Sequence, residues 1–236
     1  MALFLSFQYV RTRDFRNFVI EADRKLMQTI VNYAVKKKFP GEEHLTPRAL
    51  DREKSAALMQ NKHMFNIPKA IHRARILEGH IWLVGENPAG VFNYTSDSPI
   101  VTRNISGDAG LTVGFAIPGA EVIFPLPPER VLILRERTAF KSDGAADGRV
   151  VPLSSNQVEE FNKLQAVHAE RQVFSLYDDF NLIEDMLRLG PDLFSAARKR
   201  ITISENDPMF SELREAIDER LRQMEQEDSA GDASSP

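Results

Sequence analysis

Apolar residues in the first third of the chain recur every three or four positions: Phe4, Phe7 and Val10, then Phe15, Phe18 and Val19, then Leu26, Ile30, Val31 and Ala34. That spacing puts them on one face of a helix. Thr12 followed by Asp14 is a capping signal inside the run, so the pattern predicts one long kinked helix or two nearly collinear ones over 2–37. Lys36, Lys37 and Lys38, then Pro40 and Gly41, end it, because cations suit the negative end of a helix and the breakers cannot continue it. Thr46-Pro47 opens a further helix to about His63, and Asn66 with Pro68 restarts the pattern through Ile71, Ala74 and Leu77 to Gly79. These helices read as packing over a sheet rather than as a partner-binding face.

From His80 to Val151 the period changes to two. It predicts strands at 80–85, 91–95, 99–103, 111–117, 120–124 and 130–136, with turns at Gly107-Asp108-Ala109-Gly110 and Pro118-Gly119. No helix separates them, which implies antiparallel meanders or hairpins. Pro125-Leu126-Pro127-Pro128 must leave the ladder, since proline has no amide to donate. Residues 142–148 read as a flexible surface loop. A helix is expected over 156–175, with Val158, Phe161, Leu164, Ala169 and Val173 on its buried face, and a short one over 182–189. Ile201-Thr202-Ile203 reads as a strand or extended chain, and Asp207-Pro208 opens a charged last helix to about Glu225. The fold expected is α+β: a helical N-terminal third, a mainly antiparallel sheet at about 80–151, and a helical C-terminal part packed on it. Residues 1–225 read as one domain and 226–236 as a disordered tail.

With 236 residues and 42% hydrophobic content, the chain can build a sizeable core. A net charge of -4 argues against a dedicated nucleic-acid binder, which carries a basic excess. The absence of cysteine excludes disulfides, thiolate metal sites and a cysteine nucleophile, and fits a reducing cytoplasm. The apolar opening from Met1 to Phe7 has no basic residues before it and is too short to span a bilayer. A soluble cytoplasmic protein without membrane contact is therefore expected.

Candidate chemistry concentrates in 82–100. If Asn87 to Gly90 is a hairpin loop, His80 faces Asp97, and Trp82, Asn93 and Thr95 share their side of the sheet. A carboxylate beside an imidazole fixes its tautomer and raises its pKa, as a proton-transfer pair requires. Asp97, Ser96, Thr95 and His80 are accordingly the candidate catalytic residues, with Arg11 and Arg16 available to neutralise an anionic substrate. The competing reading of Thr95-Ser96-Asp97-Ser98-Pro99 is structural: Asp97 accepts backbone amides in a turn and Pro99 stops the strand. Arg11 and Arg16 read equally well as helix-surface residues. The histidines at 44, 63, 72, 80 and 168 have no ligand spacing, and no phosphate-cradling glycine loop or Gly-x-Ser-x-Gly elbow is present, so neither metal nor cofactor is expected. Arg198-Lys199-Arg200 would touch phosphate or simply solvate a helix end. Asn162, inside a helix, must be exposed or satisfied by a partner.

Several stretches together resemble one family. They are Phe7-Gln8-Tyr9-Val10-Arg11-Thr12 with Phe15-Arg16, Phe92-x-Tyr94-Thr95-Ser96-Asp97-x-Pro99-Ile100, Pro125-Leu126-Pro127-Pro128, and Asn162 with Ala169 and Val173-Phe174-Ser175. Over residues 3–180 the chain is similar to domain of unknown function 4238, a mostly bacterial family. Members begin with a His-Tyr-Val-Pro-Gln-type segment that this chain is expected to lack, so an activity needing that histidine would be lost and an apolar edge left uncovered. The resemblance implies an architecture and no biochemistry. Three functions stay open: a hydrolase-like enzyme centred on Asp97, a non-catalytic interaction or regulatory module reaching a protein partner through the last helix, and a truncated inactive family member.

Overall fold

An extended Thr12 (φ −62°, ψ 146°) divides the first helical run into α1 (Ala2–Arg11) and α2 (Arg13–Lys38). Its hydroxyl donates to the Tyr9 carbonyl at 2.7 Å and accepts the Phe15 amide at 3.3 Å, so one side chain closes the first helix and caps the second. The computed structural model describes residues 1–41, 67–105, 114–190 and 208–232. The helix expected at 46–63 and the segment 201–203 lie outside the described residues, as does the first part of the strand expected at 111–117. The chain forms two compact units, one of residues 1–17 and 62–199, the other of 18–61 and 200–236.

In the first unit α3 (Ile67–Glu78) leads into β1 (Ile81–Glu86). The main sheet also contains β3 (Val101–Asn104), β4 (Ala120–Pro125), β5 (Arg130–Arg135) and β6 (Arg149–Pro152), in the order β3-β4-β5-β1-β6. β1 pairs antiparallel with β5, placing Trp82 opposite Leu134, and parallel with β6, placing Val84 opposite Val150. Both flanks of β1 are thus occupied, and the expected hairpin between β1 and 91–95 does not form. Instead the chain turns away at Asn87, whose amide donates to the Glu129 carbonyl at 2.9 Å. Only β2 (Thr95–Ser96) becomes a strand there, paired with β7 (Val173–Phe174) in a separate two-stranded sheet. The main sheet is mainly antiparallel as expected, with the parallel β6 as the departure. The expected loop at 142–148 begins inside a 3-10 helix, Lys141–Ala146.

Successive residues of β1, β4 and β5 point to opposite faces, and apolar side chains occupy both. Ile81, Leu83, Ile123 and Ile133 pack with Val158 and Phe161 of α4 (Ser155–His168). Val122, Leu132 and Leu134 pack with Ala2 and Leu5 of α1 and with Ala74 and Leu77 of α3. The unit is therefore three layers, with helices on either side of one sheet. A Cβ on Gly85 would lie 2.6 Å from Leu153 Cδ1 and 2.9 Å from Val131 Cγ1, so a larger residue there must displace both side chains where β1 meets the chain entering α4.

The second unit contains the 18–38 part of α2 and the last helix, here α6 (Pro208–Asp232), which runs past Glu225. Phe210 is fully buried and meets the Tyr33 ring edge-on at 5.6 Å. The Tyr33 hydroxyl donates to Asp218 at 3.0 Å and Lys37 Nζ lies 2.8 Å from the same carboxylate. No described helix is long and apolar enough to cross a membrane.

Candidate functional site

Helix α4 begins in a capping box: Ser154 Oγ accepts the Gln157 amide and the Gln157 side chain accepts the Ser154 amide. One turn apart on the same face, Asn162 and Gln165 are both buried. Asn162 Oδ1 accepts the Tyr94 amide at 2.7 Å and its Nδ2 donates to the Phe92 carbonyl at 2.9 Å. Gln165 Nε2 donates to the Pro99 carbonyl, and its Oε1 accepts from Ser96 Oγ, each at 2.9 Å. On the opposite flank the Asn93 amide and Nδ2 donate to the carbonyls of Pro128 and Arg130. Side-chain amides thus satisfy the backbone of 92–99 where no ladder does, which meets the requirement that buried peptide groups be paired.

Asp97 belongs to the same fastening. Its Oδ1 accepts the Glu170 amide at 2.9 Å and its Oδ2 the Arg171 amide at 3.0 Å, while its own amide donates to the Gln172 carbonyl at 3.1 Å. These bonds hold the chain just after α4, which ends at His168 and turns into β7 instead of continuing to 175. Ser96 is buried and bonded to Gln165 and to the Ser98 amide. Thr95 lies opposite Phe174. His80 is 4% exposed in the turn between α3 and β1, with Nδ1 2.9 Å from the Ile76 carbonyl. The strand pairing that would set it facing Asp97 is absent. Arg11 is exposed at the end of α1 and Arg16 is half-buried in α2. None of these six sequence candidates lines the cleft beside the start of α4.

That cleft, of about 330 Å³, lies among the loop from Gly90 to Tyr94, the start of α4, and the segment that enters α5 (Asn181–Leu189). Ser155, Glu159 and Asn162, on one face of α4, line it together with Tyr177, Asp179 and Asn181. The Phe92 and Tyr177 rings meet edge-to-face with centroids 5.0 Å apart. The Tyr94 hydroxyl donates to the Asp179 carbonyl at 2.8 Å, and burial, then the Asp179 charge, push its pKa up, so it stays neutral. Asp179 Oδ1 accepts from Asn181 Nδ2 at 2.8 Å. Sequence reading missed this cleft because Tyr177, Asp179 and Asn181 fall in an irregular stretch with no periodicity.

A second group also escaped sequence reading. Glu121 is fully buried between Arg103, at 2.6 Å, and Arg135, at 2.7 Å, which sit directly opposite it on β3 and β5. The guanidiniums lie over the rings of Phe161 and Phe140. Arg135 also meets Asp143 at 2.5 Å, so two carboxylates answer the two guanidiniums and the group ties three strands together. Among the described residues no set of three or more His, Asp or Glu side chains is placed to hold a metal ion. In the last helix Phe210 packs on Tyr33, and Asp218 is held by Tyr33 and Lys37.

Residues 1–179 match the model of the family described as protein of unknown function DUF4238, and the chain belongs to that family. No curated protein matches it. No solved structure matches it.

Proposed function

We propose that this DUF4238 protein is a cytoplasmic, non-catalytic binding module whose ligand occupies the cleft between the loop at 90–94, α4 and the segment at 175–182. The observation that carries the reading is the use of Asp97, whose two oxygens each accept a main-chain amide, from Glu170 and Arg171, outside the cleft. A carboxylate engaged in that way fastens a turn and is poorly suited to orienting a water or a base. The cleft's size suits a small ligand or one side chain, at the lower end of the roughly 300–1,000 Å³ of ligand pockets. The lack of cysteine supports a reducing compartment.

The test is Asp97→Ala. The half-buried Glu170 amide and the exposed Arg171 amide then lose a charged acceptor, so the urea-unfolding free energy falls by about 1–2 kcal/mol. The parent protein, offered ester, phosphoester and amide substrates, turns none over. Turnover that disappears in Asp97→Ala while stability holds would overturn the reading.

A further inference from the structure

We infer that the cleft takes an organic cation, an alkylammonium or guanidinium group, an inference that rests on the binding-module reading above. Both charged side chains lining the cleft, Glu159 and Asp179, are carboxylates, and its aromatic wall is Phe92 with Tyr177, the latter 59% exposed. A ring with an open face beside fixed negative charge is the arrangement that favours a cation, through the ring quadrupole and simple Coulomb attraction. Asp179 is oriented by Asn181, which bonds only Oδ1 and leaves Oδ2 without a protein donor among the described residues.

Three positive contributions oppose these carboxylates. Lys163, one turn from Glu159, lies 2.9 Å from both Glu159 and Glu160, so it is shared between two carboxylates. The cleft also meets the first turns of α4 and α5, whose N-termini carry about half a positive charge each. Those partial charges are already answered, by the Ser154 capping box on α4 and by Asp179 on α5. Set against Glu159, Glu160 and Asp179, one lysine and two partial charges leave the surroundings negative. An anion would meet no arginine or lysine among the lining residues.

The cation has two sources, a free small molecule or an arginine or lysine side chain of a partner peptide. Full-length protein is titrated with n-butylguanidine, with its neutral isostere n-butylurea, and with a blocked tripeptide carrying a central arginine, followed by amide and aromatic NMR shifts and by calorimetry. Butylguanidine is expected to shift Phe92, Tyr94 and Tyr177, to bind about tenfold more weakly to Glu159→Lys, and severalfold more weakly to Tyr177→Ala. Both positions are solvent-facing, so unchanged thermal midpoints confirm that these variants fold. Tighter binding of the tripeptide identifies a peptide source, and equal or weaker binding a free cation. Butylurea binding as well as butylguanidine, or cation-induced shifts confined to other acidic surfaces, would overturn the inference and leave the binding-module reading standing. A cation selected by the cleft but recovered chemically altered would uphold the inference and remove the binding-module reading instead.

Discussion

Asn162 and Gln165 do for residues 92–99 what a neighbouring strand does elsewhere in the sheet, offering an acceptor to one peptide and a donor to another. The sequence left Asn162 either exposed or partnered, and its partners lie about seventy positions away, beyond any local pattern. The same distance hid the partners of Asp97. Its neighbours have the composition of a turn and also that of a catalytic cluster, and the amides of Glu170 and Arg171 that it accepts lie over seventy positions along the chain. Glu136 is a further carboxylate fully engaged by its surroundings. Burial opposes its charge, yet the amides of Thr138, Ala139 and Gly119 and the Thr138 hydroxyl more than offset this and hold its pKa at about 2, against an ordinary 4.5. A depressed carboxylate pKa stabilises the fold above the unfolded value and ceases to do so as pH falls through the folded one. Glu136→Gln should therefore lower the urea midpoint at pH 7, with the difference from the parent shrinking as pH drops from 4.5 towards 2. A difference that stays constant across that window would remove Glu136 from the account of acid stability.

At the level of elements, long periodic runs were readable and short or two-sided ones were not. The helices on either side of Thr12, the strands β1, β4 and β5, and the short α5 follow from apolar spacing. β6 was missed because its four residues are mostly exposed, and nothing local announces that β1 will accept a parallel partner after the 3-10 helix. The expected helix at 156–175 was overextended because Ala169 and Val173 kept the period after Asp97 had already bent the chain. Register was invisible too, and with it the alignment of Arg103, Glu121 and Arg135 across three strands. Glu121→Ala leaves Arg103 without its carboxylate and Arg135 with Asp143 alone, and should cost about 3 kcal/mol. Combining it with Arg103→Met and Arg135→Met should recover much of that loss, because apolar substitutes avoid the desolvation cost of buried ions. Urea unfolding of the single and triple variants measures both; a single variant costing under ~1 kcal/mol would mean the ladder is not a structural tie.

For the molecule as a whole, the division into two units matters more than any one element. Both apolar clusters around the sheet draw only on residues of the first unit. The second unit's described packing centres on Phe210 against Tyr33, with Arg214 within 6.0 Å of both rings and Asp218 held by Tyr33 and Lys37. Composition alone could not reveal this, since a chain of 236 residues with one apolar content fits one core or two. Different cores open with different free energies, and amide exchange reports each separately. Phe210→Ala removes a fully buried ring, a change that costs about 3–5 kcal/mol locally. Exchange should accelerate through 18–38 and α6 while the amides of β4 and β5, whose partners are Val122, Ile123, Ile133 and Leu134, keep their protection. If β4 and β5 lose protection in step with α6, the sheet and the helix pair unfold as one cooperative body, and Phe210 stabilises the whole chain rather than its own unit.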